Sequence, residues 1–335
     1  MEPVTTTSYY VLGIALFMLL NSAALAVYAE RRVAAFIQNR VGPNRVGPFG
    51  LLQPIADVLK LILKEDVTPA RGFKTIHTIA PVIPVVTALM TVAVIPFGEG
   101  LYVTDINAGV LYLLAMTSLG VYGVTLAGWS SNSKYSLLGG LRAAAQMISY
   151  ELPMGMAIAS CVLFSSSLSM LDLVDSQQYW WNIFRNPIGG VIFVVAAFAE
   201  ANRTPFDLVE AEQELVGGFH TEYSSMKFGM FFLAEYMHVV LGSMLITTFF
   251  FGSYHLPFAG YWLPDLGATW KTVLDVAVFT VKTLFFVFLY IWVRWTIPRF
   301  KYNQVMRLGW SRLLPISIAN FVVLAVLIYA WYNLI

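Results

Sequence analysis

The chain has 335 residues, of which 58% are hydrophobic and 12% charged, and its formal net charge is only +1. This apolar content exceeds what the core of one soluble domain can bury. The composition therefore excludes an ordinary soluble domain and predicts an all-α, polytopic membrane protein, with residues 1–335 forming a single integral membrane domain.

Eight apolar segments approach or reach the length needed to cross a bilayer core of about 30 Å. In chain order they are 9–29, 77–97, 107–128, 146–168, 187–201, 228–252, 272–293 and 315–333. The fifth is short, but Trp180 and Trp181 just before it are typical of the membrane interface. Glu2 and no Lys or Arg precede the first, so we interpret it as an uncleaved span rather than a signal peptide.

Lysine and arginine are distributed unevenly among the connecting segments. Those after the first, third, fifth and seventh predicted spans hold 8, 2, 2 and 5 of them, or 17 of the 20 in the chain. Because Lys and Arg are enriched in cytoplasmic loops, we expect these segments to be cytoplasmic and both termini to lie outside.

The first cytoplasmic segment begins with a five-residue motif written twice, NRVGPNRVGP at 39–48. Its Gly and Pro residues fix tight turns and predict a rigid loop. The sequence LLQPIADVLKLILK follows at 51–64, with polar residues recurring at helical spacing opposite an apolar face. This pattern predicts an amphipathic helix on the membrane surface, either a functional surface or a generic interfacial anchor.

Another cytoplasmic segment, EANRTPFDLVEAEQELVGGFHTEY at 200–223, is strongly acidic. It sets six carboxylates against the single cation Arg203: Glu200, Asp207, Glu210, Glu212, Glu214 and Glu222. Closely spaced carboxylates influence one another's protonation and can exchange protons near neutral pH. Taken alone, the segment also fits a solvated acidic loop.

Several ionisable residues fall within the predicted spans. Glu151 lies in the fourth, Glu235 and His238 lie one turn apart in the sixth, and Lys282 lies near the middle of the seventh. A charge in a spanning helix is costly, so such residues usually face a partner or a wet cavity. They indicate a proton path, with interhelical hydrogen bonding as the alternative. Pro81, Pro84 and Pro153 mark places where helices could break or kink.

No residue pattern points to a redox centre or metal site held by this chain alone. The single cysteine, Cys161, cannot supply the thiolates of an iron-sulfur cluster or a c-type haem motif. The four histidines are scattered, with no pair at metal-ligand spacing on one helix. If the protein takes part in redox chemistry, partner subunits hold the electron carriers.

Four long motifs, in order, carry a resemblance over nearly the whole chain. They are ERRVAAFIQNRVGPNRVGPFGLLQPIADVLKLILKED (30–66), AEANRTPFDLVEAEQELVGGFHTEY (199–223), AEYMH (234–238) and VRWTIPRFKYNQVMRLGW (293–310). The chain resembles the H-subunit family of bacterial NADH:quinone oxidoreductase, or respiratory complex I, whose mitochondrial counterpart is NADH dehydrogenase subunit 1.

The resemblance implies an eight-span subunit that encloses most of a quinone-access chamber and couples quinone reduction to proton translocation. It implies no catalytic residue and no metal in this chain. The residues that match family positions along the quinone path are Arg31, Asp57, Phe228, Arg294 and Arg299. Those that match the family's proton path are Glu30, Glu151, Glu200, Glu210, Glu212, Glu214, Glu222, Glu235 and Lys282.

The resemblance also implies the surroundings of the chain. Quinone is the substrate, whereas NADH, FMN and the iron-sulfur clusters bind only to partner subunits. The expected partners are the hydrophilic quinone-site subunits, adjacent small membrane subunits and lipid of the bacterial inner membrane, with no nucleic acid. Asn303 departs from the family, because it replaces a common Asp and cannot titrate.

Two other classes of protein stay open at this point. One is the homologous subunit of a membrane-bound hydrogenase or of a coenzyme-F420-type dehydrogenase complex. The other, more distant, is a stand-alone secondary transporter, which predicts internal repeats. No second copy of the acidic segment or of the arginine-bearing loop is visible in the sequence.

Overall fold

The computed structural model describes residues 6–208, 216–257 and 268–334, and the secondary structure of these residues is helical, without a β-strand. The helices in the first half of the chain are α1 (Thr6–Ile37), α2 (Gln53–Leu63), α3 (Lys74–Ile79), α4 (Val82–Thr91), α5 (Gly109–Ser130) and α6 (Lys134–Ser165). Those in the second half are α7 (Met170–Asp175), α8 (Asn182–Arg185), α9 (Pro187–Glu200), α10 (Ser225–Phe250), α11 (Ala268–Thr296), α12 (Tyr302–Leu308) and α13 (Leu314–Leu334).

Within the described ranges, seven helical stretches are long and apolar enough to cross a membrane. They are Ser8–Ile37, Lys74–Val94, Gly109–Ser130, Lys134–Ser165, Ser225–Phe250, Thr269–Thr296 and Tyr302–Trp331. They overlap seven of the eight predicted spans. The fifth predicted span is the apolar helix α9, whose 14 residues reach about 21 Å, short of the bilayer core.

Helices α1 and α6 each extend well beyond the predicted apolar span at one end. Helix α1 ends at Ile37 rather than 29, and α6 begins at Lys134 rather than 146. The α1 extension carries Arg32, whose Nε donates to the hydroxyl of Tyr28 one turn earlier at 3.1 Å. Side-chain pairs four residues apart, such as this one, stabilise a helix beyond its apolar stretch. Helix α1 then ends just before the loop that contains Gly42 and Pro43, since these residues do not favour a helix.

Proline has different effects in two of the helical stretches. Pro81 separates α3 from α4, as predicted for the second span. Pro153 lies inside α6, which continues through it without interruption. A proline in the first turn of a helix is tolerated, because the N–H group that it lacks would have no partner there. A proline inside a helix removes one backbone hydrogen bond, and packing against neighbouring helices compensates for this loss.

Small residues bring the end of α5 and the start of α6 close together. A Cβ atom on Gly128 of α5 would lie 2.5 Å from the carbonyl oxygen of Ser136, and the nearest atom to a Cβ on Gly140 is the Val124 carbonyl oxygen at 3.2 Å. Such close backbone approach is how helices associate in lipid, where burial of apolar surface offers little gain. The buried side chains of Ala127 and Ala143 lie beside this contact, whereas the large side chains of Tyr150, Phe193 and Phe250 belong to the main hydrophobic core.

The doubled motif forms an irregular loop, as predicted. Gly47 and Gly50 adopt positive φ angles of 73° and 78°. A Cβ atom on Gly50 would lie 2.3 Å from the carbonyl oxygen of Pro43, so only glycine permits this approach between the two halves of the loop. Helix α2 follows directly, with the apolar side chains of Ile55 and Leu59 exposed by 58% and 54%.

Candidate functional site

Four charged residues from distant parts of the chain meet in one buried group, which we call the Glu30 cluster: Glu30, Arg203, Glu235 and Arg294, with the ring of Tyr236. One carboxylate oxygen of Glu30 lies 2.5 Å from Arg294 Nη1, and the other lies 3.7 Å from Arg203 Nη1. Arg203 Nε lies 2.9 Å from Glu235 Oε1. The cluster thus joins α1, the segment after α9, α10 and α11.

Arg203 is the centre of the cluster. Its side chain is only 4% exposed, and its guanidinium lies 4.2 Å above the ring of Tyr236, which donates a 2.9 Å hydrogen bond to Glu30 Oε2. Burial opposes its charge, but the carboxylates of Glu235 and Glu30 outweigh burial and hold the pKa of Arg203 above its usual value. Arg203 is therefore a fixed positive charge shared by two carboxylates.

Arg203 and Tyr236 are site residues that the sequence does not single out. In the sequence, Arg203 is only the single cation of the acidic segment, and Tyr236 is only part of the AEYMH motif. One feature of the sequence could have identified Arg203. It is a single arginine among six carboxylates next to a predicted span, so it is expected to pair with some of them. The structure shows that its partners lie on other helices, at Glu30 and Glu235.

A cavity lies between α4, α5, α6, α9 and α10, and we call it the central cavity. Its volume is about 60 Å³, enough for a few water molecules. Glu200 and Glu235, two residues of the predicted proton path, both line it. Phe228, a residue of the predicted quinone path, lines it as well and packs edge-on against His220 at 5.3 Å. The structure therefore brings residues of both predicted sets to one space.

Glu151 lies close to this region, on α6. Its carboxylate accepts a hydrogen bond from Ser118 of α5. The neighbouring residue Thr117 lines a smaller cavity of about 10 Å³, and Glu200 lines that cavity too. Polar atoms of α5 therefore lie between the carboxylates of Glu200 and Glu151.

Arg31 and Asp57 meet where α2 packs against the end of α1. Arg31 Nη1 lies 2.5 Å from Asp57 Oδ2, while Lys60 Nζ and Gln53 Nε2 lie 2.9 and 3.1 Å from Asp57 Oδ1. Partial burial acts to raise the pKa of Asp57, but hydrogen bonds from Lys60, Gln53 and Arg31 prevail and hold that pKa below its usual value of 3.8. The charged face of α2 is thereby fixed to α1.

This pairing predicts how α2 responds to acid. Because the pKa of Asp57 is depressed in the folded state, its contribution is complete above pH 3.8 and is lost as the pH falls through the lower folded value. The pair is half-exposed, so we expect it to contribute about 1 kcal/mol at most. A spin label on Ile62→Cys should stay equally immobile from pH 7 to 5 and become more mobile in Asp57→Asn. Equal mobility in the Asn variant would contradict the assignment.

Of the remaining predicted site residues, the structure describes Arg299 and Glu222. Arg299, beyond the end of α11, donates to the carbonyl oxygen of Asp207 at 3.4 Å. Glu222 lies in the turn that precedes α10, and Asn303 is exposed on α12. Glu210, Glu212 and Glu214 lie outside the described residues.

Lys282 lies apart from the carboxylates, at the other end of α10. Its ammonium donates to three backbone carbonyl oxygens that follow this helix, those of Phe251, Ser253 and His255, at 2.7, 2.8 and 2.7 Å. The ring of Trp181 covers it at 4.4 Å. Phe251 is 16 residues beyond Glu235, or about 24 Å along the helix. We call this arrangement the Lys282 carbonyl cage.

In the part of the chain that the structure describes, no three His, Cys, Asp or Glu side chains come together as a metal site. The side chains that meet at the Glu30 cluster and the central cavity include carboxylates, imidazoles and guanidinium groups. Such groups bind polar ligands, hold fixed charge and transfer protons.

Comparisons with known proteins agree over nearly the whole chain. The NADH dehydrogenase family matches residues 10–325. The chain is 59% identical over 316 residues to the H subunit of NADH-quinone oxidoreductase from Salinibacter ruber, covering 92% of each chain. It is 56% identical over 322 residues to NADH-quinone oxidoreductase subunit 8 of Rhodothermus marinus, covering 92% of this chain and 94% of the relative. The first H subunit of the same enzyme from Geobacter metallireducens is 48% identical over 316 residues, with 92% of each chain covered. The chain therefore belongs to the NADH dehydrogenase family, as a member of its group of H subunits from NADH-quinone oxidoreductase.

Proposed function

We propose that this membrane subunit of NADH-quinone oxidoreductase encloses most of the quinone-access chamber and couples quinone reduction to proton translocation through its buried carboxylates. The observation that carries the proposal is the Glu30 cluster. In it Arg294, a residue of the predicted quinone path, binds Glu30, a residue of the predicted proton path, at 2.5 Å. Charge that changes on the quinone side is thus one contact away from the carboxylates.

Quinone reduction supplies that change of charge. Reduction of a quinone to a quinol takes up two electrons and two protons, so negative charge develops on the head group before protons arrive. In a low-dielectric chamber such charge alters which neighbouring carboxylates hold protons. Arg31, Asp57, Phe228, Arg294 and Arg299 form the proposed quinone side of the subunit.

The proposed proton path begins at the acidic segment, with Glu222 and with Glu210, Glu212 and Glu214. It continues through Glu30 and Glu235, which share Arg203. It then crosses the central cavity to Glu200 and reaches Glu151 by way of α5. Lys282 is held in its carbonyl cage at the end of the bundle away from the Glu30 cluster.

We propose that α9 is an eighth span, that both termini face outward, and that α2 lies along the cytoplasmic surface of a bacterial inner membrane. The hydrophilic subunits that hold NADH, FMN and the iron-sulfur clusters dock on the cytoplasmic loops. Adjacent small membrane subunits and lipid cover the sides. The similarity to NADH-quinone oxidoreductase subunits favours this arrangement over a hydrogenase subunit or a stand-alone transporter.

The test is to replace Glu200 and Glu212 singly with Gln in the assembled complex. We expect NADH-driven quinone reduction and proton translocation to fall together by about 100-fold or more, because a positioned proton carrier is lost. Glu99→Gln is the control, since Glu99 is an exposed carboxylate that binds Lys271. Wild-type reduction and translocation in the Glu200 variant would overturn the proposed path, provided that assembly is normal.

A further inference from the structure

A histidine borders the central cavity between two carboxylates of the proposed path. His238 lies on α10, one turn beyond Glu235. It is inside the helix bundle, yet part of its surface is accessible because it faces the cavity. Together with Glu200, it lines both the central cavity and the smaller cavity beside Thr117.

The hydrogen bond of His238 fixes which ring nitrogen is free. Nδ1 lies 2.7 Å from the carbonyl oxygen of Ala234. A carbonyl oxygen can only accept, so Nδ1 carries the hydrogen in the neutral ring and Nε2 presents its lone pair. Among the described residues, no hydrogen-bond partner of Nε2 is present.

A glycine on the neighbouring helix keeps the space beside Nε2 open. A Cβ atom on Gly120 of α5 would lie 3.6 Å from Nε2 and 3.5 Å from the hydroxyl oxygen of Thr87 on α4. Gly120 itself lines the central cavity. A water molecule in that cavity can therefore approach Nε2, with the hydroxyl of Thr87 close by.

Two carboxylates flank the imidazole of His238. Glu235 precedes it on α10 and binds Arg203, and Glu200 lies across the cavity on α9. The turn that precedes α10 contributes His220. The other helices packed against α10 contribute Glu30 of α1 and Tyr290 and Arg294 of α11. Helices α4 and α5 contribute uncharged residues here, namely Thr87, Thr91, Thr117 and Gly120.

We propose that His238 carries protons between Glu235 and Glu200. A proton leaves the Glu235 carboxyl through cavity water and binds the Nε2 lone pair, giving an imidazolium. The same proton then leaves Nε2 for the Glu200 carboxylate, which restores the neutral ring. No bond other than those to hydrogen changes, and no electron moves. This inference rests on the proposed function, since it supplies a step between two carboxylates of that path.

The experiment compares His238→Gln with His255→Gln in the assembled complex. Gln keeps a polar side chain of similar reach but cannot titrate. His255 is a matched control, because its side chain lies beyond the end of α10, away from the cavity, next to Asp175 at 3.5 Å. The substitution keeps the backbone carbonyl oxygen of residue 255, which is the atom that binds Lys282. We expect His238→Gln to lower proton-coupled quinone reduction on the order of 100-fold, and His255→Gln to leave it near the wild-type rate.

The pH profile separates proton transfer from a structural role. Between about pH 5 and 8, where imidazole titrates, the wild-type rate should vary with pH and the His238→Gln rate should lose that variation. An equal loss at every pH, or a wild-type rate, overturns the inference. Gly120→Ala is the second variant, because its methyl group fills the space beside Nε2 at an ordinary van der Waals distance of 3.6 Å, and a helical alanine folds readily. A wild-type rate in this variant also contradicts the inference.

Failure of the inference can be told from failure of the proposed function. If Glu200→Gln lowers the coupled rate while His238→Gln does not, only the role of His238 is wrong. If Glu200→Gln keeps the wild-type rate in normally assembled complex, the path itself is wrong, whatever the rate of His238→Gln. The amount of assembled complex is measured for each variant so that rates are compared per complex.

Discussion

Replacing Arg203 with Met is expected to destabilise the subunit by about 3 to 5 kcal/mol, because it leaves the buried carboxylate of Glu235 without its cation. Arg203 is 4% exposed, so the space that it leaves is closed to bulk solvent. Glu30 keeps Arg294 at 2.5 Å and is less affected. The thermal stability of the purified complex and the amount assembled in membranes measure the loss.

Two further variants make the Arg203 prediction specific. Arg307→Met removes an exposed arginine from α12 and should change stability by about 0.5 kcal/mol at most. Adding Glu235→Gln to Arg203→Met removes the unpaired charge and should recover part of the lost stability, as a double-mutant cycle measures. If Arg203→Met is as stable as the Arg307 variant, the cluster does not depend on Arg203.

The elements that could be predicted from sequence are those encoded by local patterns. Seven of the predicted spans overlap helices of spanning length, because long apolar runs have few alternatives to a helix in lipid. Helix α2 occupies 53–63 within the predicted 51–64, since its polar and apolar residues alternate with the helical period. The break at Pro81 and the irregular loop at 39–48 follow from Pro and Gly.

The Glu30 cluster could not be predicted in the same way. Glu30, Arg203 and Arg294 are far apart in the chain, and no periodic pattern records which helices touch. The family resemblance places Glu30 and Arg294 in different functional sets. Only the packing of α1 against α10 and α11 reveals that they form one ion pair.

The contacts of Lys282 could not be predicted from its position in the sequence, because its ammonium group can bind several kinds of partner. A lysine near the middle of a span suggests a proton carrier or a buried ion pair. The ammonium group can also donate three hydrogen bonds to backbone carbonyl oxygens near the end of a helix, as that of Lys282 does after α10. The sequence shows that a charge is buried at an unfavourable free energy. The partners that offset this free energy are backbone carbonyl oxygens, and side-chain identity does not reveal where these point.

Replacing Lys282 with Met is therefore expected to have the second largest effect on stability. Met is apolar and of similar length, so it fills the space but leaves the carbonyl oxygens of Phe251 and Ser253 without their donor, whereas that of His255 keeps Trp181 Nε1 at 3.2 Å. Each unsatisfied buried group costs about 1 to 3 kcal/mol, which places the loss at about 2 kcal/mol or more. The segment from Phe251 to His255 should loosen first, because it loses its hydrogen bonds to α11.

Lys271→Met is the matched control, since it makes the same substitution on the same helix at an exposed site. Lys271 forms a surface ion pair with Glu99, and such pairs contribute about 0 to 1 kcal/mol. The complex with Lys282→Met should unfold at a clearly lower temperature than that with Lys271→Met, while the complexes that remain intact translocate protons in the normal ratio to quinone reduced. Normal stability with a lower ratio would show instead that Lys282 carries protons, because a cage of carbonyl oxygens affects how much complex survives but not what each surviving complex pumps.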